Sequence, residues 1–238
     1  MADLYGIIGA MESEVTLLIE AMQDAQKETH AHMTFYRGML GAKEAVVVRS
    51  GVGKVNAAVC VQVLADLYHV THIINTGVAG SLDAEINIGD VVLSTDAVQH
   101  DMDAVGFGYA KGEIPQLDMT FFPADKKLRE ALQKAVKEAA PDIGCFEGRI
   151  ASGDQFIADD AVKQRIIREF QALCCEMEGA SIAQAAFLNG IPFCIVRAIS
   201  DKADGSGSVD YPTFEKKAAH DCATIVKHML EGKKKKEA

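Results

Sequence analysis

Carboxylates follow three of the most apolar segments of this sequence. The acids and the segments that precede them are Glu12 and Glu14 after residues 4–10, Glu176 and Glu178 after residues 172–175, and Asp201 after residues 192–200. Each apolar segment predicts a buried strand, and ligands of open α/β sheets bind just beyond the carboxyl ends of the strands. Taken singly, each acid is also typical of a helix N-terminus, where a carboxylate caps the helix or interacts with its dipole. Taken together, carboxylates that converge on one pocket suit the acid/base cleavage of a sugar bond.

Glycine-rich turns follow further predicted strands at residues 50–53 (SGVG) and 75–80 (NTGVAG). Glycine allows the backbone to approach a ligand closely. Neither turn matches the P-loop or the complete dinucleotide-binding fingerprint, so a nucleotide phosphate site is poorly supported. A third loop, residues 152–157 (SGDQFI), contains Phe156. This ring is suited either to stacking on a flat base or to packing in the core, and its spacing does not distinguish the two.

The seven histidines do not have the spacing of a metal site, because no HExxH pattern or cysteine partner accompanies them. His100, Asp101 and Asp103 lie close together in sequence, and the polarity of a strand edge explains them. The GxSxG nucleophile motif is also missing from the sequence. We therefore expect neither a metal nor a cofactor.

The composition is that of an ordinary globular protein, with 238 residues, 49% of them hydrophobic. The 24 basic and 34 acidic residues give a net charge of −10, which argues against binding to nucleic acid or anionic membranes. The six cysteines form no CxxC pair and predict reduced, buried thiols. No basic, cleavable leader opens the sequence, and no apolar run approaches the roughly 18 residues of a membrane span. We expect a cytoplasmic protein.

Strand and helix patterns alternate along the chain, which predicts an α/β fold. Specifically, we expect three αβα layers in a single domain, with a central mixed, largely parallel sheet, over residues 1–231, followed by a disordered, lysine-rich tail at 232–238. The predicted strands span residues 4–10, 34–40, 44–49, 72–76, 90–98, 145–152, 172–176 and 192–200. The predicted helices span residues 13–25, 55–68, 125–140, 159–170 and 179–189, with a last helix from 214.

Six motifs in one order resemble those of the 5′-methylthioadenosine/S-adenosylhomocysteine nucleosidase family, within the purine nucleoside and uridine phosphorylase superfamily. They are GIIGAMESEV (6–15), SGVGKVNAA (50–58), NTGVAGSL (75–82), SGDQFI (152–157), EMEGASIA (176–183) and RAISDKAD (197–204). The resemblance runs from about residue 5 to residue 230. It implies hydrolysis of methylthioadenosine, S-adenosylhomocysteine and 5′-deoxyadenosine to adenine and a 5-substituted ribose, as in methionine salvage.

The resemblance also implies roles for individual residues. Glu14 would activate water, and Asp201, oriented by Ser200, would protonate N7 of adenine. Glu178, steadied by Arg197, would hold the ribose hydroxyls. The other implied pocket residues are Met177 beside the sugar, Phe156 and the backbone of Ile157 at adenine, Met11, Val52 and Ala79 along the walls, and Tyr211 near the 5′ end. In a homodimer, a second subunit would close that end with Phe107, Tyr109 and Pro115.

Two other functions remain open from the sequence. A phosphorylase of the same fold needs cations for phosphate, whereas residues 9–14 (GAMESE) carry two carboxylates and no arginine. Arg49 is the one cation that could serve phosphate there, although a salt bridge at a strand end also explains it. A nucleoside-binding protein without activity is the second alternative, and the presence of Glu14, Glu178 and Asp201 argues against it.

Overall fold

The computed structural model of the protein describes residues 3–202 and 207–232. The predicted tail therefore lies outside the described residues, except for Gly232. The strands are β1 Leu4–Gly9, β2 Gln23–His30, β3 Met33–Leu40, β4 Lys43–Arg49, β5 His72–Ser81, β6 Val91–Gln99, β7 Phe122–Pro123, β8 Cys145–Ser152, β9 Cys174–Glu176 and β10 Phe193–Asp201. The helices are α1 Glu12–Glu20, α2 Lys54–Val63, α3 Lys126–Ala139, α4 Asp160–Phe170, α5 Gly179–Leu188 and α6 Gly207–Glu231.

The sheet closes on itself in its central part. Its order is β10-β6-β8-β9-β5-β1-β4-β3-β2, and β10 pairs with β5 as well as with β6. Strands β5, β10, β6, β8 and β9 thus form a closed five-stranded barrel, from which β1, β4, β3 and β2 extend as an open sheet. The barrel brings the ends of β9 and β10 close to the end of β1, and so positions the acids that follow these strands.

Helices cover both faces of the sheet. Successive side chains of its buried strands point to opposite faces, and each face packs against an apolar core that includes helices. Ile8 and Val46 belong to the core that contains α2 and α5. Ile7 and Val47 belong to the core that contains α1, α3 and α6. This arrangement confirms the predicted α/β class and the central mixed sheet. Barrel closure was not predicted, and the finer description as three αβα layers stays a prediction.

Three strands differ from the sequence-based predictions. The two-residue strand β7 has no predicted counterpart. The segment Gln23–His30 forms β2, where part of a helix was predicted, and nearly all of its side chains are exposed. Such an edge strand has no apolar alternation to identify it. Strand β5 continues to Ser81, past the predicted end at residue 76, because β9 and β10 both pair with its second half.

Counted by strand pairs, the sheet is less parallel than predicted. In the described part of the chain, five strand pairs are parallel and five are antiparallel. The hairpins of β2, β3 and β4 and the reversed directions around the barrel account for the antiparallel share. None of the helices in residues 3–202 and 207–232 is long and apolar enough to cross a membrane.

Candidate active site

A cleft of about 490 Å³, its open mouth included, lies beyond the ends of β1, β9 and β10. Most of the predicted site residues line it, namely Met11, Glu14, Val52, Ala79, Phe156, Met177, Glu178, Ser200, Asp201 and Tyr211. Ile157 lines a smaller cavity that adjoins the cleft and shares Phe156, Met177 and Asp201 with it.

Glu14 lies in the first turn of α1, and its carboxylate turns back toward the end of β1. Oε2 accepts hydrogen bonds from the backbone N–H groups of Ala10 (2.6 Å) and Met11 (3.0 Å), and Oε1 accepts one from Val78 (3.0 Å). Glu14 therefore caps α1 and also lines the cleft, so both sequence-based interpretations of this acid are compatible with its position.

Gly77 on β5 is required for this arrangement. A Cβ atom built there would lie 2.3 Å from Oε1 of Glu14 and 2.2 Å from Nη1 of Arg197. Any side chain at this position would separate the carboxylate from the guanidinium. The glycine-rich turn predicted to approach a ligand thus allows the close approach of two buried protein charges.

Asp201 is the last residue of β10 and is 2% exposed. The Ser200 hydroxyl lies 2.9 Å from its Oδ1, the position that the family resemblance implies for an orienting residue. Lys202 follows directly, and its carbonyl accepts a hydrogen bond from Nζ of the buried Lys163 at 2.8 Å. The end of β10 is therefore fixed on both sides of the acid.

Arg197 lies 1% exposed beneath the cleft, among three carboxylates. Its Nη2 atom donates to Glu176, and its Nη1 and Nη2 atoms lie 3.9 Å from Glu14 and Glu178 respectively. The expectation that Arg197 steadies Glu178 therefore needs adjustment, because its closest partner is Glu176. Glu178 instead accepts a hydrogen bond from the Gly53 N–H at 2.8 Å.

Glu176 is the central acceptor of this cluster, and the list of expected pocket residues did not include it. It accepts from the backbone N–H groups of Glu178 and Gly179 at the N-terminus of α5, and from the Ser152 hydroxyl. The sequence signal was present, because Glu176 follows the apolar segment at 172–175. The cleft is also lined by Ala10, Val78, Gly80 and Cys175, to which no role was assigned from the sequence.

One guanidinium among several carboxylates makes the cleft electronegative. Burial raises the pKa of Glu14, although Arg197 and three backbone N–H groups oppose the rise. Burial and the neighbouring Glu176 raise the pKa of Glu178 to about 7. Burial also raises the pKa of the Cys175 thiol well above its usual value, so this cysteine is not an activated nucleophile.

Phe156 is 55% exposed at the mouth of the cleft, which excludes the alternative that it belongs to the core. Its ring meets that of Tyr211 edge to face at 5.6 Å. The Tyr211 hydroxyl donates to the sulfur of Met11 at 3.4 Å, and burial raises the pKa of Tyr211 to about 12. These rings leave a flat apolar surface for a ligand.

The three residues expected to act on a partner's site do not line the cleft of their own chain. Phe107 is 88% exposed in a short 3₁₀ turn, and Tyr109 and Pro115 are half-buried nearby.

The described part of the cleft contains neither a cationic side chain nor a cluster of metal ligands. Among its described lining residues there is no lysine or arginine. Arg49 instead forms an exposed ion pair with Glu12 at 3.5 Å, as the salt-bridge alternative predicted. Within residues 3–202 and 207–232, no group of three or more His, Cys, Asp and Glu side chains is arranged to hold a metal ion.

Comparisons with known proteins agree with this geometry. Residues 4–231 match the model of the phosphorylase superfamily. The 5′-methylthioadenosine/S-adenosylhomocysteine nucleosidase of Shewanella halifaxensis is 41% identical over 226 residues, covering 94% of this chain and 97% of that protein.

Two solved structures of such nucleosidases have the same fold over nearly the whole chain. The Neisseria meningitidis enzyme in complex with methylthio-immucillin-A has a TM-score of 0.92 and 36% identity, covering 97% of this chain and 100% of that one. The Colwellia psychrerythraea enzyme in complex with adenine has a TM-score of 0.92 and 35% identity, covering 97% and 95%. This chain therefore belongs to the phosphorylase superfamily and, within it, to the 5′-methylthioadenosine/S-adenosylhomocysteine nucleosidases.

Proposed function

We propose that this protein hydrolyses the N-glycosidic bond of 5′-methylthioadenosine and S-adenosylhomocysteine, and also that of 5′-deoxyadenosine. The products are adenine and the 5-substituted ribose. The observation that carries the proposal is a cleft lined by Glu14, Glu178 and Asp201, beneath which the cation Arg197 is already paired with carboxylates. The ligands of the related structures, methylthio-immucillin-A and adenine, support the same substrate class.

Asp201 is the proposed acid. When the bond between the sugar and N9 of adenine breaks, its electron pair moves into the purine, and adenine leaves poorly as an anion. A proton from Asp201 to N7 removes that charge as it develops. The Ser200 hydroxyl at 2.9 Å from Oδ1 supports a fixed orientation of this carboxyl group.

Glu14 is the proposed base. A water molecule bonded to its carboxylate would form the new bond to the anomeric carbon and give its proton to Glu14. The raised pKa of Glu14, caused by burial, makes its carboxylate a stronger base for water than an exposed one. One neutral and one ionised carboxyl group then divide the work, as in inverting glycosidases.

Glu178 is the proposed partner of the ribose hydroxyls. Its Oε1 atom is held by the Gly53 N–H, which leaves Oε2 directed between Arg197 and the cleft. Positive charge develops on the sugar as the bond breaks. A hydrogen bond between the hydroxyls and this carboxylate strengthens with that charge, and so favours the transition state over the bound substrate.

Water rather than phosphate suits this site. A phosphate beside Glu14 would place like charges together at low dielectric, at a cost on the order of several kcal/mol. We expect adenine release from methylthioadenosine and S-adenosylhomocysteine in phosphate-free buffer, at a rate that added phosphate does not increase. Strict dependence on phosphate would identify a phosphorylase, and tight adenosine binding without turnover would identify a binding protein.

The two proposed catalytic carboxyl groups are tested by amide variants. Asp201→Asn and Glu14→Gln should each lower kcat roughly a hundredfold or more, with a much smaller effect of Glu14→Gln on KM. Glu12→Gln is the matched control, because Glu12 lies in the same helical turn as Glu14 but pairs with Arg49 at the surface. Near-normal turnover of Asp201→Asn, or a change of KM alone in Glu14→Gln, would reject the assigned roles.

The raised pKa of Glu178 predicts a pH-dependent gain in stability when its charge is removed. Between the ordinary value of 4.5 and about 7, the unfolded chain loses this proton while the folded chain keeps it, so the native protein loses stability as pH rises. Glu178→Gln should therefore raise the free energy of unfolding above pH 7 by on the order of 1–3 kcal/mol. The gain should fade as pH falls toward 4.5 in urea titrations. A variant less stable than the native protein under alkaline conditions would contradict this assignment.

We further propose that a second copy of this chain covers an apolar face beside the cleft. Val55 on α2 and Leu188 on α5 are 74% and 63% exposed, and they line one shallow groove. Val52 continues this face into the cleft, and the exposed Phe107 offers a large apolar contact with no described ring partner. Phe107, Tyr109 and Pro115 of each copy would then reach the other copy's site.

Dimer formation is tested by charged substitutions on this face. We expect sedimentation to give a dimer for the native protein, whereas Val55→Glu and Leu188→Glu should shift it toward monomer and raise KM. Met39→Glu, at an exposed apolar position on β3, is the control and should remain dimeric. A native protein that is monomeric and fully active would defeat the proposal.

A cytoplasmic location is part of the same proposal. All six cysteines carry free thiols, and most are buried. This pattern suits a reducing compartment, and fractionation of cells tests it.

A further inference from the structure

Three residues outside the cleft form a closed triangle of hydrogen bonds through their side chains and two backbone N–H groups. Nζ of Lys54 donates to Oδ1 of Asp101 at 2.7 Å. The backbone N–H of Asp154 donates to Oδ2 of Asp101 at 3.0 Å. The backbone N–H of Lys54 donates to Oδ1 of Asp154 at 2.8 Å. One carboxylate, that of Asp101, thus connects the other two residues.

Two corners of the triangle, Lys54 and Asp154, belong to segments that continue into the cleft. Lys54 begins α2, directly after Val52 in the cleft wall and Gly53, whose N–H holds Glu178. Asp154 lies two residues before Phe156. Asp101 follows the end of β6. The triangle therefore connects the segment of Val52 to the loop of Phe156. Through Gly53, it also connects both to Glu178, the carboxylate proposed to bind ribose.

The segment of Asp101 also fits tightly against the Phe156 loop. A Cβ atom at Gly153 would lie 2.5 Å from Nε2 of His100 and 3.1 Å from Cγ of Asp101. The backbone N–H of His100 donates to the Ser152 carbonyl at 3.0 Å. Only glycine allows the loop to lie this close, so the bond between Asp154 and Asp101 depends on it.

We propose that Asp101 is a positioning residue for substrate binding, which holds Phe156, Val52 and Glu178 at the spacing that a nucleoside requires. The inference rests on the proposed function. The proposed catalytic acids do not depend on the triangle, because Glu14 is held by Ala10, Met11 and Val78, and Asp201 by Ser200. Loss of the triangle should therefore weaken binding far more than the chemical step.

The hydrogen bond between Asp101 and Lys54 is charge-assisted and partly buried. Its side chain and that of Lys54 are only about one-fifth exposed, at 21% and 20%. Burial alone would raise the pKa of Asp101, but the Lys54 ammonium and the Asp154 N–H hold it below its usual value. A partly buried, charge-assisted hydrogen bond stabilises the folded structure more than an exposed ion pair does.

The test is steady-state kinetics with methylthioadenosine in phosphate-free buffer. Asp101→Ala should raise KM about tenfold, the effect expected from one charge-assisted hydrogen bond, and leave kcat within about twofold. Asp101→Asn, which keeps the shape and one acceptor oxygen, should give a smaller increase and covers the case that the alanine variant does not fold. Asp103→Ala is the matched control, because this acid lies in the same loop and its side chain accepts only from Val105 among the described residues.

Two further variants separate positioning from general stability. Lys54→Met should raise KM like Asp101→Ala, and the double variant should be no worse than either single one, because the triangle acts as a unit. Gly153→Ala, which changes no charge, should raise KM as well. An unchanged KM in folded Asp101→Ala, with only a lower melting temperature, would overturn the proposal. If the native protein itself releases no adenine in this assay, the proposed function fails instead.

Discussion

Arg197 is the buried cation on which the arrangement of the cleft depends. It lies among Glu14, Glu176 and Glu178, and its closest bond is to Glu176. Burying an ion without a partner costs several kcal/mol, so these carboxylates and the guanidinium require one another. A single positive charge cannot neutralise three negative ones, and burial, together with the neighbouring Glu176, raises the pKa of Glu178. The same excess disfavours any anion in the cleft.

The fold compensates the remaining negative charge with backbone dipoles. Glu14 and Glu176 accept N–H groups at the N-termini of α1 and α5, where the helix dipole favours a carboxylate. Closure of the barrel brings these two helix ends to the same cleft. The acids are thus helix caps and site residues at once, and the structural and chemical demands on them coincide.

Much of the site could be predicted because its acids directly follow apolar strands. The acids still lie beyond the ends of these strands, although the sheet closes into a barrel instead of staying open. Strand β9 pairs antiparallel with the end of β5, which extends to Ser81, and parallel with β8. Glu176, the last residue of β9, therefore lies at the cleft. Barrel closure could not be predicted, because the pairing of β5 with β10 leaves no periodic signal in either strand. The preference of Arg197 for Glu176 over Glu178, and the contact between Asp101 and Lys54, join residues distant in sequence. Only their three-dimensional distances reveal them.

We expect this electronegative cleft to deliver water, and not an anion, to the sugar. The most direct measurement is the fate of the sugar from methylthioadenosine in water labelled with heavy oxygen, in the presence of excess phosphate. We predict that mass spectrometry finds 5-methylthioribose with one heavy oxygen on the anomeric carbon and no sugar phosphate. Formation of 5-methylthioribose 1-phosphate, or of unlabelled sugar before exchange with solvent, would contradict the claim.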